Sequence, residues 1–328
     1  MTRALRRLVA LVAVLAASSA QAVERLEVIV FPGGFNWPLW VAEAQGTFAA
    51  EGLAVNVTPT PNSVFQMRGL AEGRFDVALT NVDNVVAYDE GQGEVPLEPR
   101  PDFFVFMGAQ SGALRLVARP GIASVAALRG KRVAVDAAAT GYSLVLRKLL
   151  QQAGLRDGDY EVQALGGTAT RAQALLDGRT DATILSSPLE VLPESQGYPR
   201  LANASDAIGP YAAVSGAARR SWAATHERVL VAFIRAYAHA VDWLHDASNR
   251  DAAIALYRRN VPQASEAAAR AAWDALLGGS EGFVAHARLE RAGVETVLRL
   301  RAEASPKGTR LGGVERYVDE RYYNLAIP

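Results

Sequence analysis

The sequence predicts an α/β protein of two lobes, each a mostly parallel sheet flanked by helices, with a cleft between the lobes. Three observations carry that reading. From Leu26 onward, short β-like runs alternate with stretches of helical periodicity. A helix–turn–strand unit, Leu70-Ala-Glu-Gly73-Arg74-Phe-Asp76, recurs as Leu175-Leu-Asp-Gly178-Arg179-Thr-Asp181, and Gly73 to Gly178 is an offset of 105 residues. The chain is 328 residues long, room for two domains of roughly 100 to 200 residues each.

The first segment stands apart from the fold. Arg3, Arg6 and Arg7 precede an apolar run over residues 8–17, and Ala20-Gln21-Ala22 follows. These are the charged region, apolar core and small-residue cleavage site of a secretory signal peptide. The apolar run is short of the about 20 residues a spanning helix needs. Residues 1–22 are therefore expected to be removed after Ala22, leaving a mature protein outside the cytoplasmic membrane, in the periplasm.

In the mature chain, Leu26 to Phe31 reads as a strand and Pro32-Gly33-Gly34 as a loop. Pro38 suits the first turn of a helix through Trp40, Val41 and Ala44, with Gly46 as its stop. Leu53 to Thr58 is a second strand, Val64 to Ala71 a helix, and Phe75 to Leu79 the strand after the first Gly-Arg turn. A glycine that accepts left-handed φ ends the helix in each copy of that unit. Two copies suggest two similar lobes rather than a tandem array, the alternative being chance recurrence of a common turn.

The strand Phe103 to Ala109 ends the first lobe, and Ala113 to Arg119 carries the chain outward as an extended run. Leu128 to Asp136 reads as a helix end and the first strand of the second lobe. Thr140-Gly-Tyr-Ser143 is expected to cap a helix with Leu146, Leu149, Leu150 and Ala153 on one face. The second copy of the repeat leads into a strand from Ala182 to Leu185, and Tyr211 to Val214 reads as a return strand. From Glu227 to His245, residues 229, 230, 233, 234, 237, 241 and 244 share one apolar face that should cover the first lobe. Two crossings imply a discontinuous first lobe, residues 23–111 and 209–328, around a second lobe of residues 112–208, with a hinge between them.

Composition narrows the function. Half the residues are hydrophobic and 21% are charged, as in a packed globular protein. Lys plus Arg and Asp plus Glu both number 34, and loss of the three leader arginines leaves 31 basic against 34 acidic side chains, a formal charge of −3. That balance argues against nucleic acid as a partner. The absence of cysteine removes disulfides, thiolate metal sites, cysteine nucleophiles and a lipid-anchored N-terminal cysteine. His226, His239, His245 and His286 are the only histidines and read as surface residues. No nucleophile elbow, dinucleotide fingerprint, phosphate loop or zinc-protease motif is present, so no catalytic residue, metal or cofactor is assigned.

Binding features are better represented. In parallel α/β sheets, ligands sit beyond the carboxyl ends of strands, where loops and helix N-termini present free N–H groups. By that rule the candidate ligand-binding residues are Asn36, Trp37, Thr80, Asn81, Asp83, Gln110, Ser111, Thr140, Gly141, Tyr142, Ser143, Gly167, Thr168, Ser186 and Ser187. Thr140 to Ser143 is the leading site, because a helix N-terminus with hydroxyls and a glycine lets a carboxylate or sulfonate oxygen approach closely. Asn36 and Trp37 offer an amide and a stacking face. Asp83 would accept from a ligand N–H or O–H, but would point away or cap its helix if the ligand were a bare anion. Arg171, just after Thr168, is the only basic residue near these loops, which disfavours a highly charged oxyanion.

Pro38-Leu-Trp-Val-Ala-Glu-Ala-Gln-Gly46-Thr-Phe48-Ala-Ala-Glu51-Gly52-Leu53 resembles the opening of the nitrate/sulfonate/taurine-type solute-binding proteins of ABC importers, relatives of the thiamine-precursor-binding proteins. Leu70 to Asn81, Leu128 to Asp136, Leu175 to Leu189 and the tail Tyr317-Val-Asp-Glu-Arg-Tyr322-Tyr323 extend the resemblance along the mature chain. The resemblance implies a type II periplasmic-binding-protein fold whose two lobes close like a clamp on a small solute and then dock on a membrane permease. Some relatives are pyrimidine synthases that depend on a cysteine-rich motif, which this chain lacks. The resulting expectation is a monomeric periplasmic substrate-binding protein for a small organic carboxylate, sulfonate or heterocycle. A pyrimidine-metabolism enzyme of the same fold, or a ligand-sensing module for a membrane receptor, is the alternative.

Overall fold

The computed structural model describes residues 23–307 and 309–328, so the expected signal segment lies outside the described residues. Among the described residues, eleven strands fall into two sheets. The first contains β1 (Glu24–Val30), β2 (Leu53–Pro59), β3 (Val77–Thr80), β4 (Phe103–Ser111), β10 (Ala212–Arg219) and β11 (Gly282–Phe283), in the order β11-β4-β10-β3-β1-β2. The second contains β5 (Leu114–Ala118), β6 (Arg132–Val135), β7 (Glu161–Ala164), β8 (Ala182–Ser186) and β9 (Arg200–Asn203), in the order β7-β6-β8-β5-β9. Among the described residues no helix is long and apolar enough to cross a membrane.

The two-sheet α/β architecture matches the expectation, with a refinement in strand direction. In the first sheet β1, β2, β3 and β4 run one way and β10 is inserted antiparallel between β3 and β4. In the second, β6, β7, β8 and β9 run one way and β5 is inserted antiparallel between β8 and β9. Both sheets are therefore mixed. The inserted strands are those the chain enters on crossing between sheets.

The run after residue 113 is accordingly not an outgoing connector. It is β5, inside the second sheet, and β6 is that sheet's second strand in chain order. The outward crossing is the pair Gly112 and Ala113, both with positive φ, and the return runs through Gly209 into β10.

The recurrent turn belongs to a larger repeat. In the first sheet Val28 pairs with Val57 and with Val77; in the second Val133 pairs with Val162 and with Ala182, each residue displaced by 105. Gly73 and Gly178 hold φ of 73° and 70° after their helices, Ser63–Ala71 and Thr168–Leu176. Asp76 then accepts from the amide of Glu27 at 3.0 Å, and Asp181 from the amide of Arg132 at 2.9 Å. One βαβαβ unit has thus been built twice in the same register.

The helix Glu227–His245 buries Val229, Leu230, Phe233, Ile234, Tyr237, Val241 and Leu244, as its periodicity requires, and alanines widen the stripe. That face packs on β1, β3 and β4 side chains and on the helix Trp37–Ala44, with Phe233 stacked on Phe48 at 5.8 Å. A second helix, Arg291–Ala304, packs against Val82–Asp89 beside the first sheet and against Gly141–Gln152 beside the second, so it spans the junction.

Candidate functional site

The carboxyl ends of β3, β6 and β8 converge between the two sheets. The cavity there is lined by Phe31, Phe35, Leu79, Thr80, Asn81, Asn84 and Val214 from the first sheet's side. Asp136, Thr140, Gly141, Tyr142, Gly167, Thr168, Arg171 and Ser186 line it from the second. The two walls already touch: the Ser63 amide donates to Asp136 Oδ2 at 3.2 Å, and the Gly167 amide to the Pro61 carbonyl at 3.0 Å.

The walls differ in chemistry. On the first side, Asn81 Oδ1 caps the helix Val82–Asp89 by accepting from the Asp83 amide at 2.8 Å, and Asn62 caps Ser63–Ala71 at the Phe65 amide. On the second side neither Thr140 nor Gly167 caps with a side chain, so the first-turn amides of Gly141–Gln152 and Thr168–Leu176 have no side-chain cap among the described residues. Thr140 sits at the N-cap position as expected, but its Oγ1 donates backwards to the Ala137 carbonyl at 2.9 Å, so the expected side-chain cap is not made. Rings and aliphatic groups from Phe31, Phe35, Leu79 and Val214 face this polar wall.

Arg171 is 1% exposed and lies on the helix Thr168–Leu176. Its guanidinium donates to Thr183 Oγ1, Thr168 Oγ1 and the carbonyls of Gly166 and Ile184 at 2.8–3.1 Å. Among the described residues no carboxylate reaches ion-pair distance of it. Burial pulls its pKa down, with Asp136 and then Tyr142 acting in the opposite direction, yet an arginine stays protonated. Burial pushes the Tyr142 phenol up to about 12, so that hydroxyl is a neutral donor at physiological pH.

Of the expected site residues, Thr80, Asn81, Thr140, Gly141, Tyr142, Gly167, Thr168 and Ser186 line the cavity. The others do not. Trp37 is fully buried against Tyr257 at 4.6 Å and Trp273 at 5.8 Å, because it opens a helix that packs inward; on that side of the cavity the rings are Phe35 and Phe31. Asn36 is spent on the Phe31 carbonyl at 2.7 Å. Asp83 points away from the cavity and pairs with Arg301, whose Nε donates to Oδ1 at 2.9 Å.

Gln110 ties the sheets together, donating to the Ser187 carbonyl at 2.9 Å and accepting from Ser186 Oγ at 3.2 Å. Ser111 is a paired residue at the end of β4, Ser143 is buried in the first turn of its helix and does not line the cavity, and Ser187 Oγ is taken by Glu190. The cavity also contains Phe31, Phe35, Leu79, Asn84, Asp136 and Val214, which are outside the expected set, and Arg171, which the sequence marks only as a neighbour of Thr168. The strand-end rule already pointed to Asp136 and Phe31, which follow β6 and β1. All four histidines are exposed, and none lines the cavity.

Comparison with known proteins places this geometry in a family. The NMT1/THI5 like family model matches residues 36–250, more than half of the chain, and the chain belongs to that family. Solved structures share its fold. The ligand-binding component of an ABC-type import system from Staphylococcus aureus, with zinc bound, is 14% identical with a TM-score of 0.74 over 92% of this chain and 99% of that one. The periplasmic nitrate-binding protein NrtA from Synechocystis PCC 6803 is 11% identical with a TM-score of 0.73 over 93% and 88%. The desulfurization enzyme DszB is 15% identical with a TM-score of 0.61 over 92% and 99%. No curated protein matches the sequence.

Proposed function

We propose that this protein is the substrate-binding component of an ABC importer, capturing a small organic solute between two lobes and releasing it to a membrane permease. The lobes are residues 23–111 with 209–328, and residues 112–208. The observation that carries the reading is the cavity itself: it lies between the sheets, its walls come from both, and the contacts from Ser63 to Asp136 and from Gly167 to Pro61 close over it. A ligand bound there would be buried by closure, and only the closed form would present both lobes together to a permease.

The cavity's chemistry favours binding over turnover. Its lining residues include no histidine, lysine or cysteine, and the hydroxyls of Thr80, Thr140, Thr168 and Ser186 hydrogen-bond to amide, carbonyl and guanidinium groups rather than to a carboxylate that would activate them. Uncapped helix N-termini and Arg171 suit a ligand acceptor group, while Phe31, Phe35, Leu79 and Val214 suit an apolar or planar body. The protein would act as a monomer in the periplasm after loss of residues 1–22, without metal or cofactor.

The test is a thermal-shift and calorimetry screen of ligand-stripped protein against carboxylates, sulfonates, amides and heterocycles, followed by mass analysis of the recovered ligand. Saturable binding of one class with the ligand returned unchanged supports the reading. Conversion of the ligand to product would replace it with an enzymatic one.

A further inference from the structure

Two charged groups in the cavity wall have no charged partner. Arg171 uses four of its five N–H groups, all on neutral acceptors, and one Nη1–H is left over. Asp136 is 9% exposed; its Oδ2 accepts from the Ser63 amide, and its Oδ1 is buried without any partner. The two side chains belong to one wall yet do not reach ion-pair distance of each other. A buried carboxylate oxygen with nothing to accept from is costly enough to call for an occupant.

Building on the solute-binding reading, we propose that Asp136 is the specificity-determining residue of this cavity and selects ligands that present an N–H donor beside an acceptor. The acceptor meets Arg171 and the uncapped helix ends, and the N–H meets Asp136 Oδ1. Primary amides, ureides and lactams offer such an edge. Simple oxyanions do not, and would bring a second negative charge against Asp136 in a closed, poorly solvated space.

The same carboxylate connects recognition to closure. Its Oδ2 holds the first turn of Ser63–Ala71, across the cleft, while Oδ1 is left for the ligand. A ligand N–H that orients Asp136 therefore also orients the group that grips the opposite lobe.

The substitution Asp136→Asn tests this. Asparagine can still accept from the Ser63 amide through its oxygen, which turns its NH2 toward the ligand and replaces an acceptor by a donor. Calorimetry on the full chain, purified and stripped of solute, would use benzamide, N,N-dimethylbenzamide, benzoate and benzenesulfonate, with acetamide, N,N-dimethylacetamide and acetate as a smaller series. The expected result is that the primary amides bind at least tenfold tighter than their dimethyl and carboxylate counterparts. Asp136→Asn should lower or invert that ratio while its unliganded unfolding midpoint stays within a few degrees of the parent.

Carboxylates or sulfonates binding as tightly as amides, or an amide preference unchanged in Asp136→Asn, would overturn the role of Asp136 and leave the solute-binding reading standing. Failure of every compound to bind would overturn both.

Discussion

Gln66 and Arg171 are one position occupied by two different residues. They lie 105 residues apart on equivalent helices, both are at most 1% exposed, and each donates to the equivalent strand carbonyl. Gln66 Nε2 reaches Leu79 O and Arg171 Nη2 reaches Ile184 O, both at 3.0 Å. Each tethers its helix to the strand that follows. In the second copy the tether also carries a charge, so one repeat has kept a structural bond and turned it into an electropositive cavity wall.

That relationship makes Arg171→Gln an informative substitution. Glutamine copies the residue the first repeat uses for the same bond, so the fold should survive, with circular dichroism unchanged. Removing the one cation among the described residues that line the cavity should weaken binding of an acceptor-bearing ligand about tenfold or more, equivalent to about 1.4 kcal/mol. Calorimetry against the best ligand of the screen checks it, and unaltered affinity would take Arg171 out of the site.

The repeat also marks what the sequence could and could not reveal. Strand periodicity, the glycine stops and the 105-residue recurrence are local signals, and β1 to β4, β6, β8 and the helices Gly141–Gln152 and Glu227–His245 follow them, whereas β7, β9 and the helix Val82–Asp89 carry no such signal in the sequence reading. Strand direction is set by which strands the chain enters on crossing, a property of contacts far apart in sequence, so β5 reads locally as a connector. Side-chain direction is the harder quantity. Trp37 and Phe35 are two residues apart in one candidate loop, and only the packing of Tyr257 and Trp273 decides that Phe35, not Trp37, faces the cavity. Arg301 lies 218 residues from Asp83, and nothing near Asp83 announces its partner.

Gly141 is a close-approach position between the walls. A Cβ there would lie 2.6 Å from Asp83 Cβ and 2.6 Å from the Tyr211 hydroxyl. Gly141→Ala should therefore push the start of Gly141–Gln152 away from the first sheet and disfavour the closed arrangement. Ligand affinity should fall about tenfold, a closure cost of about 1.4 kcal/mol, without loss of secondary structure. Small-angle scattering with saturating ligand checks it: the parent should contract on binding and the variant should contract less.

Asp83 and Arg301 form a buried ion pair, and Arg301 also donates to the Ala139 carbonyl at 2.7 Å, joining elements beside both sheets. Burial disfavours the charge on Arg301, but Asp83 outweighs it and holds the guanidinium pKa above its ordinary value. Arg301→Met leaves a carboxylate buried alone and should cost about 3–5 kcal/mol in urea unfolding. The double variant Asp83→Leu, Arg301→Met should recover much of that loss, because it removes the stranded charge. A double variant as unstable as the single one would assign the loss to packing instead.

The acid limb of stability should carry a contribution from Asp181. Its carboxylate accepts from Arg132 Nε at 3.1 Å and from the Arg132 amide, and a second arginine, Arg119, lies at 3.2 Å. The hydrogen bond from the Arg132 side chain is the main reason its pKa is lowered to about 2. An unfolded aspartate titrates near 3.9, so the folded state favours the ionised form, and the stabilisation is present above pH ~4 and lost as pH falls toward 2. Arg132 and Arg119 are partly solvent-exposed, so screening reduces the contribution to about 1 kcal/mol. Asp181→Asn should therefore lower the unfolding free energy at pH 7, and the difference from the parent should shrink between pH 4 and pH 2. Asp76, its counterpart in the first repeat, behaves oppositely, because burial raises its pKa and it has no arginine on its carboxylate comparable to Arg132. Asp76→Asn should not reproduce the narrowing toward pH 2, and parallel urea titrations of the two variants would separate the arginine's effect from that of the strand amide both aspartates hold.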